Sequence, residues 1–510
     1  IKKRIEEIIH RIGEGLVDRR ELVGMVLLSA VAGESIFMLG PPGVGKSMVA
    51  RRVKFAFKEG SSFEYLMNRF STPDEIFGPI SISRLSKEDK YERLTENYLP
   101  GASVVFLDEI WKAGPSIQNA LLTVINEKLY RNGEQEVKVK LQGLVGASNE
   151  LPAKDEGLEA LWDRFLVRYY VDRIMNEEHF YRMITSTPSD KVSIDPGMTI
   201  SESEIEAWSK DIDKVTVPEE VLFVISTVRK LIEQHNEHLT AEGKEKEILY
   251  VSDRRWRKII RLLRTSAFLN GHKKVDMMDC FIISFCIWST PEQIDQVRRW
   301  VGQAICEYGL DHSYHISAVE DQINAFKQEA LSGAQEEKLI QVEQPVLVDD
   351  QYYLLTEFSE SHKYIRKKDF EKLKGKVTEC PLYTSWGDSK YYHLARLSDC
   401  EVEVSFENGY QYFKLKSRQE QQLRTVPKRP SDEVFDKLNQ LSEDILRYLN
   451  ETASSIEKQR LRFRNHLDDH LFVSAENHHL IENGLNELLR RILHGKLNVE
   501  QIKGQYTYAV

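Results

Sequence analysis

Apolar residues fall along the first third of the chain in short, nearly unbroken runs at 35–39, 63–67, 104–107, 144–148 and 165–171. Runs of that length without alternation suit strands covered on both faces. Helix-period stretches lie between most of them. The pattern therefore predicts an α/β domain over residues 1–215, a parallel sheet with helices on both faces. From Pro218 to Trp288 the period turns helical, with Val221, Leu222, Ile225 and Val228 on one face and Trp256, Ile259, Ile260 and Leu263 on another. Phe281, Ile282 and Phe285 suggest a third helix, and the charged stretch 241–247 a loop between the first two. An all-α lid over 216–292 is expected.

Further along, Ile294, Val297, Val301 and Ile305 keep the helical period, and Val319, Ile323 and Phe326 suggest another helix. Between Pro345 and Val426 aromatic and β-branched residues take over. Val402, Val404 and Phe406 alternate with polar residues up to Asn408-Gly409, and Tyr410 and Tyr412 follow. Asn-Gly between alternating runs marks a hairpin, because both residues tolerate positive φ. After Pro430 two amphipathic helices carry Val434, Leu438, Leu441, Ile445 and Leu449, then Ile481, Leu485, Leu488 and Ile492. The expectation is a helical stalk of 293–340 and 428–510, interrupted by a small β-rich module at 341–427.

Composition narrows the class. A chain of 510 residues with 41% hydrophobic and 29% charged residues is ordinary for a globular protein of several domains. Its net charge of −10 makes nucleic acid an unlikely main partner on composition. The five cysteines include no Cys-x-x-Cys pair, which fits a reducing compartment. The longest apolar run, 280–288, is too short for the roughly 20 residues that span a bilayer, so no stable membrane insertion is expected. No signal peptide pattern is visible, and cytoplasm is the expected location.

The chemistry starts at Gly40-Pro41-Pro42-Gly43-Val44-Gly45-Lys46-Ser47, followed by Met48. It fits G-x-x-x-x-G-K-[ST], whose chance occurrence in a chain this long is on the order of 0.02. It lies between an apolar strand and a helical stretch, as a phosphate loop should. Glycines let backbone N–H groups close around phosphate, Lys46 reaches the β- and γ-phosphates of ATP, and Ser47 ligates Mg²⁺. The run at 104–107 ends in Asp108-Glu109, which suits Asp108 as the carboxylate that holds Mg²⁺ and Glu109 as the base for the attacking water. Asn149 ends the next buried-type strand and is positioned for the γ-phosphate or the water. In Leu161-Trp162-Asp163-Arg164-Phe165, Arg164 is the candidate arginine supplied in trans, against a plain pair with Asp163 or Glu159. In Ser252-Asp253-Arg254-Arg255-Trp256, one arginine is expected to contact ATP, and Arg254 is favoured over Arg255.

These motifs, together with Phe70-Ser71-Thr72-Pro73, Phe77-Gly78-Pro79, Ile110-Trp111-Lys112-Ala113 and Glu150-Leu151-Pro152, resemble the MoxR branch of the AAA+ ATPases. Within that branch they resemble the regulatory ATPase variant A (RavA) subgroup. The likeness is dense over residues 1–300 and rests only on layout afterwards. It implies a homo-hexameric ring with ATP at subunit interfaces, a von Willebrand A domain partner protein and chaperone-like remodelling of a client. Lys46, Ser47, Asp108, Glu109 and Asn149 would come from one subunit and Arg164 from its neighbour, with Arg254 as the sensor-two residue in the lid, acting in trans or in cis according to how the lid is displaced. A nucleotide-gated scaffold that recruits its target through the β-rich module, and a nucleic-acid-dependent motor, stay open as alternatives.

Two insertions suit the same branch: residues 69–100, with Phe77, Ile80, Ile82 and Leu85, read as a hairpin, and 131–140, with Asn132-Gly133 and the Val137/Val139 alternation, as a second, each either facing the central pore or decorating the surface. His312-x-x-His315 lacks a suitable fourth ligand for metal, and His478-His479 read as solvated. Tyr352, Tyr353, Trp386, Tyr391 and Tyr392 read as the core of the β-rich module or a partner surface.

Overall fold

The computed structural model describes residues 1–58, 61–153, 157–186, 192–244, 247–308 and 316–507. The chain forms two compact units: Ile1–Ile316 with Leu449–His494, and Ser317–Tyr448 with Gly495–Val510. The segments expected as one helical domain, 293–340 and 428–510, are thus divided between them.

In the first unit β1 (Ser35–Leu39), β2 (Ser62–Leu66) and β3 (Val104–Asp108) precede a small hairpin of β4 (Leu129–Asn132) and β5 (Gln135–Lys138). Strands β6 (Gly143–Ser148) and β7 (Val167–Tyr170) follow. Five of these strands form a parallel sheet in the order β2-β3-β6-β1-β7. Every residue of β1 and β6 is buried. The helix Arg20–Ala32, which packs on the sheet, buries all of Leu22 to Ala32. The order sets the carboxyl ends of β1, β6 and β3 side by side, the edge at which open α/β sheets bind ligands.

The segment 69–100 is helical, which corrects the expected hairpin. Thr72 and Glu75 make a reciprocal capping box that starts the helix Pro73–Phe77, and a second helix runs Ile82–Glu88. Strand pairing there is confined to one bridge between Ile80 and Arg93. The 131–140 hairpin forms, but its turn residues are Gly133 and Glu134. Asn132 ends β4, and its amide bonds the backbone of Arg93.

The helical part of this unit contains Glu219–Ala241 and Asp253–Leu269, within the expected lid, and Ile294–Tyr308 after it. The first buries Val221, Val224, Val228 and Ile232, whereas Leu222 is 48% exposed. A step of one residue turns a side chain about 100°, and here that step carries Leu222 away from the buried face of Val221. Phe281, Ile282 and Phe285 lie in a 3₁₀ segment, Met278–Phe285, in which every residue is buried. The returning segment of the unit docks through His470, whose buried ring meets the fully buried Asp279 at 3.0 Å. His478, expected as solvated, shares a 2.7 Å hydrogen bond with Asp468.

The second unit is built around an antiparallel ribbon. Strand β8 (Gln335–Pro345) pairs with β16 (Ser417–Pro427) over their whole length. Between them β9 (Leu347–Val348), β10 (Tyr352–Leu354), β11 (Tyr364–Arg366), β12 (Thr378–Tyr383), β13 (Ser389–Arg396), β14 (Glu401–Phe406) and β15 (Gly409–Lys414) form one seven-stranded sheet. Its core includes Leu355, Ile365, Leu382, Leu394, Val402 and Val404. The expected aromatic cluster divides: Tyr353 and Tyr392 are buried, while Trp386 and Tyr391 are exposed. β-structure begins at Gln335, inside the segment expected to be helical. The long helices Asp432–Asp468 and His478–Thr507 contribute to both units. Among the described residues no helix is long and apolar enough to cross a membrane.

Candidate functional site

The turn leaving β1 is shaped by glycine. A Cβ on Gly40 would stand 2.2 Å from the Val171 carbonyl oxygen, so no other residue fits there. Gly43 and Gly45 have φ of 81° and 90°, the left-handed region that favours glycine. The helix Lys46–Val53 then starts without a side-chain cap and without an acid in its first turn. Its positive end, with unpaired N–H groups, is left for an anion.

Lys46 Nζ donates to the carbonyl oxygens of Gly40 (2.5 Å) and Pro41 (2.9 Å) and to Asn149 Oδ1 (2.8 Å). Burial pulls its pKa below the usual lysine value, against the opposing charges of Asp108 and Glu109. Pro41, Pro42 and Met48 are exposed around the turn, and Val44 gives its carbonyl to Arg19 Nε at 3.0 Å.

Ser47 Oγ donates to Asp108 Oδ2 at 3.2 Å, which sets a hydroxyl beside a carboxylate at the edge of the loop. That oxygen pair has the hard-donor chemistry Mg²⁺ requires. Glu109 has φ 51°, a conformation that costs about 1–3 kcal/mol in a residue other than glycine. Its carboxylate accepts from Asn149 Nδ2 at 2.8 Å and Ser148 Oγ at 3.4 Å, and pairs with Lys112 at 3.2 Å. Asn149 thus joins Lys46 to Glu109 through one amide. The sequence pointed to a contact with phosphate or water; the link between the two charged residues could not be read from it.

A second group gathers at Asp163. Arg164 Nη1 lies 3.1 Å and Arg254 Nη2 3.7 Å from Asp163 Oδ2, so the intramolecular pair weighed for Arg164 is present. Arg255 is only 4% exposed and donates to the carbonyl oxygens of Cys286 (2.5 Å), Asp163 (3.0 Å), Phe165 (2.8 Å) and Leu166 (2.8 Å). Arg254 is 47% exposed. Arg168, which the sequence did not single out, is buried, stacks 4.0 Å from the Trp162 ring and donates to the Trp288 carbonyl. Burial, then Arg255, pushes its pKa well down. Among the described residues no hydrogen bond or ion pair joins this arginine group to Lys46, Ser47, Asp108, Glu109 or Asn149. His312 and His315 lie outside the described residues.

Sequence reasoning also missed a cavity of about 750 Å³ lined by Asp18, Arg19, Tyr170, Met175, His179 and Arg298, among others. Arg19 connects it to the phosphate loop, donating to Val44 and also to the Asp172 carbonyl at 2.7 Å. Asp18 sits at φ 56° and meets His179 Nδ1 at 2.6 Å. Nothing in the residue types announces that geometry.

Residues 3–207 match the family model described as the MoxR domain in the MoxR-vWA-beta-propeller ternary systems, and residues 220–301 match an AAA lid domain. Two uncharacterized proteins of Methanocaldococcus jannaschii are similar. One is 35% identical over 294 residues, 58% of this chain and 72% of its own. The other is 36% identical over 293 residues, 58% of this chain and 74% of its own. Chaperone MoxR1 of Mycobacterium tuberculosis is 28% identical over 210 residues, which span 40% of this chain and 54% of that one.

Proposed function

The chain belongs to the MoxR family of AAA+ ATPases, and on that premise we propose that it hydrolyses ATP to ADP and phosphate with Mg²⁺. The observation that carries this reading is the Lys46–Asn149–Glu109 chain of 2.8 Å hydrogen bonds beside the Ser47–Asp108 pair. In this reading Gly40 to Met48 hold the phosphates, and Lys46 exchanges its loop carbonyls for the β- and γ-phosphates. Ser47 and Asp108 would hold Mg²⁺, which would supply positive charge to the phosphoryl transfer. Glu109 takes a proton from the water whose oxygen bonds to the γ-phosphorus as the ADP oxygen leaves. Asn149 orients Glu109 until the nucleotide draws Lys46 away. The cavity between Asp18 and Arg298 is of a size to take the base and ribose.

Arg164 and Arg254 are the candidates to reach a triphosphate from outside the loop. The exposure of Arg254 favours it over Arg255, whose donors are occupied by carbonyls. By family likeness the assembly is a homo-hexamer of RavA type, in the cytoplasm, which remodels or matures a client in a chaperone-like way. The MoxR1 name and the ternary systems of the matched model support that role and a von Willebrand A domain partner. The exposed Trp386, Tyr391, Tyr410 and Tyr412 favour one further reading, in which the β-rich module recruits a target and ATP gates a scaffold.

Purified protein with Mg²⁺ should release phosphate from ATP. Lys46→Ala should lose nucleotide binding, and Glu109→Gln should bind ATP but lose turnover by about 10²-fold or more. Full turnover in Lys46→Ala would end the ATPase reading.

A further inference from the structure

Asp163 is one carboxylate facing more positive charge than it can neutralise. Its Oδ2 meets Arg164 at 3.1 Å and Arg254 at 3.7 Å, and its Oδ1 meets Arg255 at 3.4 Å. Arg255 and the buried Arg168 are occupied by backbone carbonyls around the start of β7. The surplus charge therefore resides on Arg164 and Arg254. These two arrive on different elements: Arg164 ends the helix Glu159–Arg164 of the α/β layer, and Arg254 stands in the first turn of the lid helix Asp253–Leu269.

Two guanidinium groups brought to one oxygen repel each other; burial first, and then the charge of Arg254, lowers the pKa of Arg164 against the pull of Asp163. Among the described residues the shared carboxylate of Asp163 is what meets both of them. That carboxylate is itself held, because Arg255 donates to both the carbonyl and the Oδ1 of Asp163. Arg255 thus ties the lid helix to the same residue that collects the 21% exposed Arg164 and the 47% exposed Arg254.

We infer that Asp163 is a positioning residue that gathers Arg164 and Arg254 into one two-guanidinium head, presented to a triphosphate held by a second copy of the chain. This rests on the proposed ATPase activity and names the device that links lid and arginine. An anionic phosphate competes with Asp163 for the same donors. The head is therefore held ready before it engages and does not have to be assembled from two separate side chains. Losing Asp163 leaves the chain's own phosphate loop intact and lets the two arginines separate. The loss should appear in kcat, with KM little changed.

The test is Asp163→Asn in the full chain. Turnover should fall by roughly 10²-fold, the cost of a misplaced catalytic group, with ATP binding retained and Asp163→Glu restoring most of the rate. Mixing Asp163→Asn with Lys46→Ala protein, each nearly inactive alone, should recover turnover. In a mixed assembly an intact loop then faces an intact arginine pair. Parental kcat in Asp163→Asn, or no recovery on mixing while Asp163→Asn binds ATP normally, overturns the inference. If Asp163→Asn does not fold, Arg164→Ala, Arg254→Ala and their double variant decide. A head acting as one unit gives a double variant about as slow as either single one, and multiplicative losses refute it. Turnover persisting in Lys46→Ala would instead refute the ATPase reading itself.

Discussion

A guanidinium carries five donors, and burying it is tolerable only where acceptors meet them. Arg255 finds four carbonyls from Asp163, Phe165, Leu166 and Cys286, while Arg254, one position earlier, turns to the surface. A helix separates such neighbours by about 100°, so the two can differ in burial, and the residue types alone do not say which faces inward. The consequence is measurable by urea unfolding. Arg255→Ala strands several buried carbonyls and should cost about 3 kcal/mol or more. Arg254→Ala removes a half-exposed contact and should change stability by about 0.5 kcal/mol or less. Equal stability losses would show that the two arginines do not divide the work in this way.

At the scale of elements, legibility followed how local the cause is. The five sheet strands could be read because burial on both faces demands apolar runs, and the loop after β1 because its motif is contiguous. The helix Pro73–Phe77 was also written locally, in Thr72-Pro73-Asp74-Glu75, but the apolar residues after it drew the reading toward a hairpin. Strands β8 and β16 left no such trace. They hold each other with main-chain bonds along an exposed ribbon, so Gln, Glu, Lys and Arg occupy both faces and no alternation results. The docking of the returning segment was illegible for a different reason, since it joins residues 191 positions apart. There His470 Nδ1 accepts from the Phe472 and Val473 backbone N–H groups, which puts the ring proton on Nε2, facing Asp279. Asp279 also accepts from Ser266 Oγ at 2.5 Å and the Asp276 N–H at 2.7 Å. Removing one partner leaves a charge buried. His470→Ala should therefore cost about 3–5 kcal/mol in urea unfolding, whereas the half-exposed His466→Ala, whose partner is Asp276, should cost under about 1 kcal/mol. A cost below about 1 kcal/mol for His470→Ala would mean that this network does not hold the segment.

For the molecule as a whole, the two units differ in what they supply. Every residue of the candidate nucleotide site, the cavity lining from Asp18 to Arg298 and Glu476 included, belongs to the first unit. The buried core of the seven-stranded sheet comes from residues 353 to 415 of the second, with Leu347 packed against it. Strands β8 and β16 bracket that sheet in register, with Pro345 opposite Ser417. The two ends of the intervening chain therefore stand where a two-residue turn can join them. Replacing residues 347–415 by Asn-Gly, which favours the type I′ turn of a tight hairpin, should close the ribbon on the Val346 N–H to Lys416 carbonyl bond. If ATP turnover and target recruitment reside in separate units, this variant keeps the parental phosphate-release rate and loses whatever protein the exposed tyrosines engage. Pull-down against the parent, run beside the phosphate-release assay, measures both. A variant that folds and still captures the same protein would assign recruitment elsewhere and remove the scaffold reading. One that folds but no longer turns over ATP would show that the sheet acts on the motor and is more than an appended module.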